Sequence, residues 1–409
     1  MNNLLEKYAK LAINTGVNVQ KGQSLLINVK AEHYEFARLL VKEAYASGAK
    51  EVFVEFNDDQ IDKLNFTHKD VETLSHIPQW QKDKYKDYIS KDFCRLSVYA
   101  PSPGLLKDIS DDKLHAYTLA VGEATKEYRQ YSMSNQGQWS LISLPTKEWA
   151  RVVFPELSDD KAQEKLLESI LYSVRIDKDT DPVEAWNKHN KTLHHQNEVL
   201  NEYNFKSIRF KNSLGTELEV GLVKNHIWAG GMETSAKGHT FNPNMPTEES
   251  FTMPDNQNVN GIVYSTKPLN YNGKLIDEFW LRFKDGKVVE YDAKKEKETL
   301  KSLLETDEGS SRIGELALIS HDSPISNLDI LFYNTLFDEN ASCHMALGEA
   351  YPMNIKDGLT MSQDELKENN ANHSILHEDF MFGSEDMRAV GITFDGKEID
   401  IIVNGNIVL

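Results

Sequence analysis

Short apolar runs alternate with stretches of helical spacing through the first half of the chain. Residues 23–29 (QSLLINV) predict a buried strand, and residues 32–47 set Phe36, Leu39, Leu40 and Ala44 on one helical face. Gly48 ends that helix, and residues 51–56 (EVFVEF) predict a second strand. Strand, helix and strand in so short a span form a βαβ unit, hence a parallel sheet with a right-handed crossover. The first connection, Lys30-Ala31-Glu32-His33, contains no glycine-rich phosphate loop, so nothing supports a Rossmann nucleotide site. Residues 95–99 and 138–144 extend the strand pattern, while 117–131, 160–172 and 181–202 read as helices. Beyond them the period shortens. Residues 207–211, 217–222, 261–266, 278–284 and 287–292 predict short strands, with Asp285-Gly286 as a hairpin turn. A helix is predicted over 292–305, and a last hairpin pairs 391–394 with 398–403 around Asp395-Gly396. The pattern predicts an N-terminal α/β domain with a parallel sheet over 1–195 and a C-terminal mixed α+β domain over 196–409.

Composition narrows the class. The 409 residues carry a formal charge of −19, the reverse of the basic footprint that a phosphate backbone requires, which argues against nucleic acid as a partner. Cys94 and Cys343 belong to no CxxC pair, so neither a disulfide framework nor a thiolate zinc site is expected. The N-terminus lacks an apolar signal segment and no run of about 18 apolar residues occurs, so a soluble, cytoplasmic protein without a membrane partner is expected. The acidity is uneven: residues 301–400 hold 6 basic against 20 acidic side chains. That stretch also holds most of the candidate chemistry.

Four segments of the second half combine metal-binding side chains with turns and short strands. Residues 243–254 (PNMPTEESFTMP) contain Glu248 and Glu249, and residues 312–318 (RIGELAL) hold Glu315 alone in an apolar run. Residues 341–351 (ASCHMALGEAY) contain His344 and Tyr351, and residues 377–383 (HEDFMFG) contain His377 and Asp379. Each has a plain structural alternative. Glu315 suits the outward face of a strand, Glu248 and Glu249 suit a solvated loop, and His344 suits a core histidine bonded to backbone. Tyr351 suits a core aromatic, and His377-Glu378-Asp379 a surface acidic cluster. The HxD spacing is the most directed of these signals, because an extended strand puts residues i and i+2 on one face. Together, two glutamates, two imidazoles and an aspartate form the donor inventory of a binuclear Zn, Co or Mn centre.

The order Pro-Thr-Glu-Glu, Gly-Glu-Leu-Ala-Leu, His-Met-Ala-Leu-Gly-Glu-Ala-Tyr and His-Glu-Asp-Phe-Met-Phe-Gly resembles the M29 metallo-aminopeptidases. Tyr8-Ala9-Lys10-Leu11, Gly16-Val17-Asn18 and Lys21-Gly22-Gln23 extend the likeness to the N-terminus. The resemblance implies two divalent metal ions (Zn, Co, Mn or Mg) held by Glu249, Glu315, His344, His377 and Asp379, with the C-terminal domain carrying them. It implies Glu315 and Tyr351 as catalytic residues, and hydroxide bridging the ions as the nucleophile. The implied substrates are peptides with a free N-terminus, and the implied assembly is a homodimer whose sites face an enclosed cavity. Ser250 stands where that family suggests a branched apolar residue, and the assignment of Glu249 over Glu248 stays open. The residues alone admit two rivals, another binuclear metallohydrolase such as an amidohydrolase, and a non-catalytic metal-binding protein. A phosphoesterase is poorly supported, since residues 312–379 contain only Arg312, Lys356 and Lys367 as basic side chains.

Overall fold

The structure, a computed structural model, describes residues 2–271 and 274–409. The chain divides into two compact units, Met1–Lys188 with Met232–Pro246, and His189–Gly231 with Thr247–Leu409. The change of unit after Lys188 and the sequence-derived limit at 195 both fall inside one helix, Pro182–Tyr203.

The first unit is built on a parallel sheet of four strands in the order Glu51–Asn57, Ser24–Lys30, Cys94–Tyr99 and Trp139–Ser143. Helix Tyr34–Ala46 makes the first crossover and buries Phe36, Ala37, Leu40 and Ala44. Leu25, Leu26, Ile27 and Val29 are buried on the Ser24–Lys30 strand, as expected for an inner strand covered on both faces. Tyr8 of the N-terminal helix is fully buried, and its hydroxyl donates to the Ser143 carbonyl at 3.0 Å. The single helix predicted over 117–131 is instead two, Asp111–Ala124 and Lys126–Met133. Thr125 breaks the run at φ −104°, ψ 5°, with its hydroxyl turned back to the Val121 carbonyl.

The second unit has two antiparallel sheets among the described residues. The larger has nine strands, and its predicted hairpin at Asp285-Gly286 joins Lys274–Lys284 to Lys287–Lys295, both turn residues having positive φ. The helix predicted from 292 begins later, at Lys297. Residues up to Lys295 continue the strand, and Glu296 at φ 59° makes the turn between the two. The smaller sheet runs His377–Met381, His344–Gly348, Ile313–Leu318 and Ser250–Thr252 in that order. Leu316, Leu318, Met345, Leu347 and Phe380 of this sheet share one hydrophobic core with Phe210, Val220, Val263 and Leu281 of the larger.

Candidate metal centre

All four sequence segments meet on the smaller sheet. Glu315 pairs with Ala346, and Ala346 with Asp379; His377 pairs with Gly348, and His344 with Ala317. Directly paired residues project from the same face, and so do residues two apart. Glu315, His344, His377 and Asp379 therefore lie on one face, above the small residues Ala317, Ala346 and Gly348. Phe251 pairs with Ala317, so Glu249, two residues before it, joins them at the sheet margin. The opposite face supplies the apolar core.

One irregularity makes this possible. Ile313 pairs with Leu347 and Glu315 with Ala346, leaving Gly314 as an extra residue in the ladder. Without that bulge Ile313 and Glu315 would share a face. With it, Ile313 enters the core while Glu315 turns to the opposite side. A Cβ on Gly314 would lie 2.3 Å from the carbonyl oxygens of Gly348 and Glu349, so only glycine fits. Gly230 has a similar role beside Glu249: at φ 136° its missing Cβ makes room for the Glu249 carbonyl, which that atom would meet at 2.1 Å.

The distances show two groups sharing one carboxylate. His344 Nε2 is 3.3 Å from Glu249 Oε2 and 3.4 Å from Glu315 Oε1. His377 Nε2 is 3.6 Å from Glu315 Oε2 and 3.5 Å from Asp379 Oδ1. Both rings are oriented from behind. Nδ1–H of His344 donates to the Ser342 carbonyl at 3.3 Å, and that of His377 to the Glu349 carbonyl at 2.8 Å. A carbonyl only accepts, so each Nδ1 carries the hydrogen and each Nε2 is left facing the carboxylates.

Burial pushes the Glu315 carboxyl upward, and the charges of Asp379 and Glu249 add to it. Burial works against a charged His344, yet Glu249 and Glu315 lift that ring well above the ordinary range. His377 behaves alike: burial opposes, but Asp379 and Glu315 raise it to about 9. The face thus draws positive charge strongly enough to overcome desolvation. Cations entering it would reverse the upward shifts of its acids. Asp379 Oδ1 is buried without a hydrogen bond, an orphaned acceptor aimed into the same space. Glu249, Glu315 and His344 offer one donor atom each within 4.8 Å of one another. Hard carboxylate oxygens with oriented imidazoles fit divalent cations of the zinc, cobalt and manganese type.

The neighbouring acid, serine and histidines fall elsewhere. Glu248 is buried, but its carboxylate faces His189 Nε2 at 3.8 Å rather than the sheet face. Ser250 is fully buried and accepts a hydrogen bond from Gln196 at 2.7 Å, which gives the small polar side chain a local reason. His194 is exposed and pairs with Glu198 along its helix. His226 is buried, with Nδ1 bonded to the Val223 carbonyl. His239 belongs to the first unit. Tyr351 is not a core aromatic: it is 39% exposed, with its ring 4.6 Å from that of His377. Desolvation of its hydroxyl and the surrounding acids push the phenol upward, so it stays protonated. Sequence reading missed Glu339. This residue, in the turn Glu339–Ala341, is pushed well up by burial and by Glu249 and Asp379 beside it. Fully buried Asn340 joins the two segments, accepting from the Glu248 backbone N–H at 2.8 Å and donating to Glu339 Oε1 at 3.4 Å.

A sheet face of carboxylates and oriented imidazoles, backed by an apolar core, is the setting of a metal-dependent enzyme. The chain belongs to the thermophilic metalloprotease (M29) family, which it matches over residues 1–407. It is 45% identical to Aminopeptidase 2 of Geobacillus stearothermophilus over 402 residues, covering 98% of this chain and 97% of that one. It is 43% identical to Aminopeptidase AmpS of Bacillus subtilis, with 98% of each chain covered. The solved structure of wild-type AmpT from Thermus thermophilus superposes with a TM-score of 0.92 at 34% identity, covering 100% of both chains. No helix among the described residues is long and apolar enough to cross a membrane.

Proposed function

We propose that this chain is a metallo-aminopeptidase that removes the first residue from unblocked peptides with the help of two divalent ions. In this reading Glu249, Glu315 and His344 would hold one ion, and Glu315, His377 and Asp379 would hold the other. The observation that carries it is the Glu315 carboxylate, whose two oxygens face two different imidazoles. A single-ion site needs no such division. When bound, such ions lower the pKa of a water molecule and polarise a carbonyl group. The chain's residues do the rest. Ser342 and Glu349 carbonyls fix the two ring tautomers, and the core beneath the sheet keeps the donors rigid. Tyr351, protonated and with its ring beside His377, would donate a hydrogen bond to the oxygen that gains charge in the transition state.

The direct test compares free and N-acetylated peptides after reconstitution with zinc, cobalt, manganese or magnesium. Cleavage confined to the free peptides, with two ions bound per chain by elemental analysis, is expected. Equal cleavage of both peptides would refute the aminopeptidase reading, and one ion per active chain would refute the two-ion form.

A further inference from the structure

We propose that a cavity within the first unit, sharing no residue with the metal centre, binds a free α-amino acid. The choice of ligand rests on the aminopeptidase reading, because hydrolysis of a first peptide bond releases one. The cavity measures about 280 Å³, just under the ~300–1,000 Å³ of pockets for drug-sized ligands and suited to one amino acid rather than a peptide. Every residue that lines it belongs to the first unit.

One wall is a stripe of the helix Gln79–Ser90. Gln79, Lys82, Lys86 and Ile89 recur at steps of three and four residues and so share a face, with Tyr85 beside them. The other wall is made by the break at Thr125. Glu123 and Ala124 close one helix, Lys126, Glu127 and Tyr128 open the next, and all five line the cavity. The apolar part of the lining is anchored, since Tyr128, Tyr85 and Ile89 pack with Leu26, Tyr88 and Phe93 in one small core. The Tyr85 and Tyr128 rings lie 5.4 Å apart, with Lys84 over the first at 5.1 Å and Arg95 over the second at 5.7 Å. Such cation–π contacts help to fix both rings.

Charges of both signs share this space. Lys82, Lys86 and Lys126 line it together with Glu123 and Glu127, yet none of the five forms an ion pair within 4.0 Å among the described residues. Other lysines around the same helix do pair: Lys84 with Glu55 and Lys91 with Asp87, each at 2.8 Å. A simple anion in the cavity would meet two carboxylates, and a simple cation three ammonium groups. A ligand that carries both charges a short distance apart satisfies both sets. The α-carboxylate of an amino acid would take the lysines and its α-ammonium the glutamates, by charge-assisted hydrogen bonds, with the side chain against Tyr85, Ile89 and Tyr128.

The test is calorimetric titration of the metal-loaded, full-length protein with L-leucine. Wild type should bind one more leucine per chain than either the double variant Lys82→Met/Lys86→Met or the double variant Glu123→Gln/Glu127→Gln. Both variants should keep the wild-type kcat/KM for leucine p-nitroanilide. At that extra site, N-acetyl-leucine, leucinamide and inorganic phosphate should each bind at least about 10-fold more weakly than leucine, the loss of one set of charge-assisted bonds. Equal leucine binding by wild type and both variants overturns the proposal. So does a site that takes any of the three other probes as tightly as leucine, because its ligand then needs only one charge. A fall in kcat/KM that accompanies the lost leucine also overturns it, by tying the cavity to the metal centre. A wild type that binds the extra leucine without cleaving leucine p-nitroanilide refutes the aminopeptidase reading and leaves the binding site standing.

Discussion

Two buried histidines, one in each unit, end on opposite sides of the ordinary imidazole pKa although burial lowers both. His33 of the first unit is 7% exposed and His344 of the second 1%. His33 bonds to the Pro145 carbonyl, and burial pulls its pKa down to about 4. His344 also has a backbone carbonyl behind it, yet it is raised well above the ordinary value. The difference lies in front of the ring, where His344 meets Glu249 and Glu315 while His33 has the positive charge of Lys30 nearby. Burial alone makes a neutral structural residue. Burial against carboxylates makes a place that attracts cations.

The strongest way to break this contrast is to remove the shared carboxylate. Glu315→Gln should lower turnover by roughly 10²–10⁴-fold, the range for losing a central catalytic group, and reduce bound metal while circular dichroism stays unchanged. Activity near wild type would dissolve the distinction between the two histidines. Gly314→Ala acts on the same carboxylate through the backbone. It should cost on the order of 1–3 kcal/mol in chemical denaturation, because the new Cβ meets backbone rather than a movable side chain, and turnover should fall with it. An unaltered denaturation midpoint would show that the ladder accommodates the added group.

The structural histidine is sharpened by pH. Its folded pKa of about 4 lies below the ordinary 6.5, so the unfolded chain takes up the proton first as pH falls. His33 thus supports the fold fully above pH 6.5, and that support is lost between 6.5 and about 4, by ~3 kcal/mol at most. His33→Gln should flatten the stability profile across that window, leaving the slope from His226, which is likewise pulled down to about 4. A profile parallel to wild type would remove His33 from the comparison. At the small end, His194→Ala should move stability by no more than about 0.5 kcal/mol, since its partner Glu198 is also exposed.

How much of this was legible follows from the range of each interaction. His377 and Asp379 could be paired from sequence because a strand's two-residue period is local, and the βαβ opening was readable from Leu25 to Phe56 for the same reason. The setting of Glu315 was not. Its surface alternative could not be dismissed while the imidazoles that justify its burial lay on distant strands. Glu339 carried no local signal, since its importance comes from Asn340 linking two segments far apart in sequence. Helix limits failed where one residue took an unusual backbone angle, as at Thr125 and Glu296. The bulge at Gly314 was equally hidden: an apolar run with one glycine does not announce a change of parity.

That change of parity has an evolutionary edge. The Ile313–Leu318 strand reads two messages in two frames, hydrophobic before the glycine and chemical after it. Substitutions along it can be absorbed one at a time, but loss of the single residue Gly314 would shift the frame and present Ile313 to the carboxylates or Glu315 to the core. This strand should therefore tolerate length variation least of any in the smaller sheet, and a deletion scan across residues 311–319 would find its sharpest loss of folded protein there.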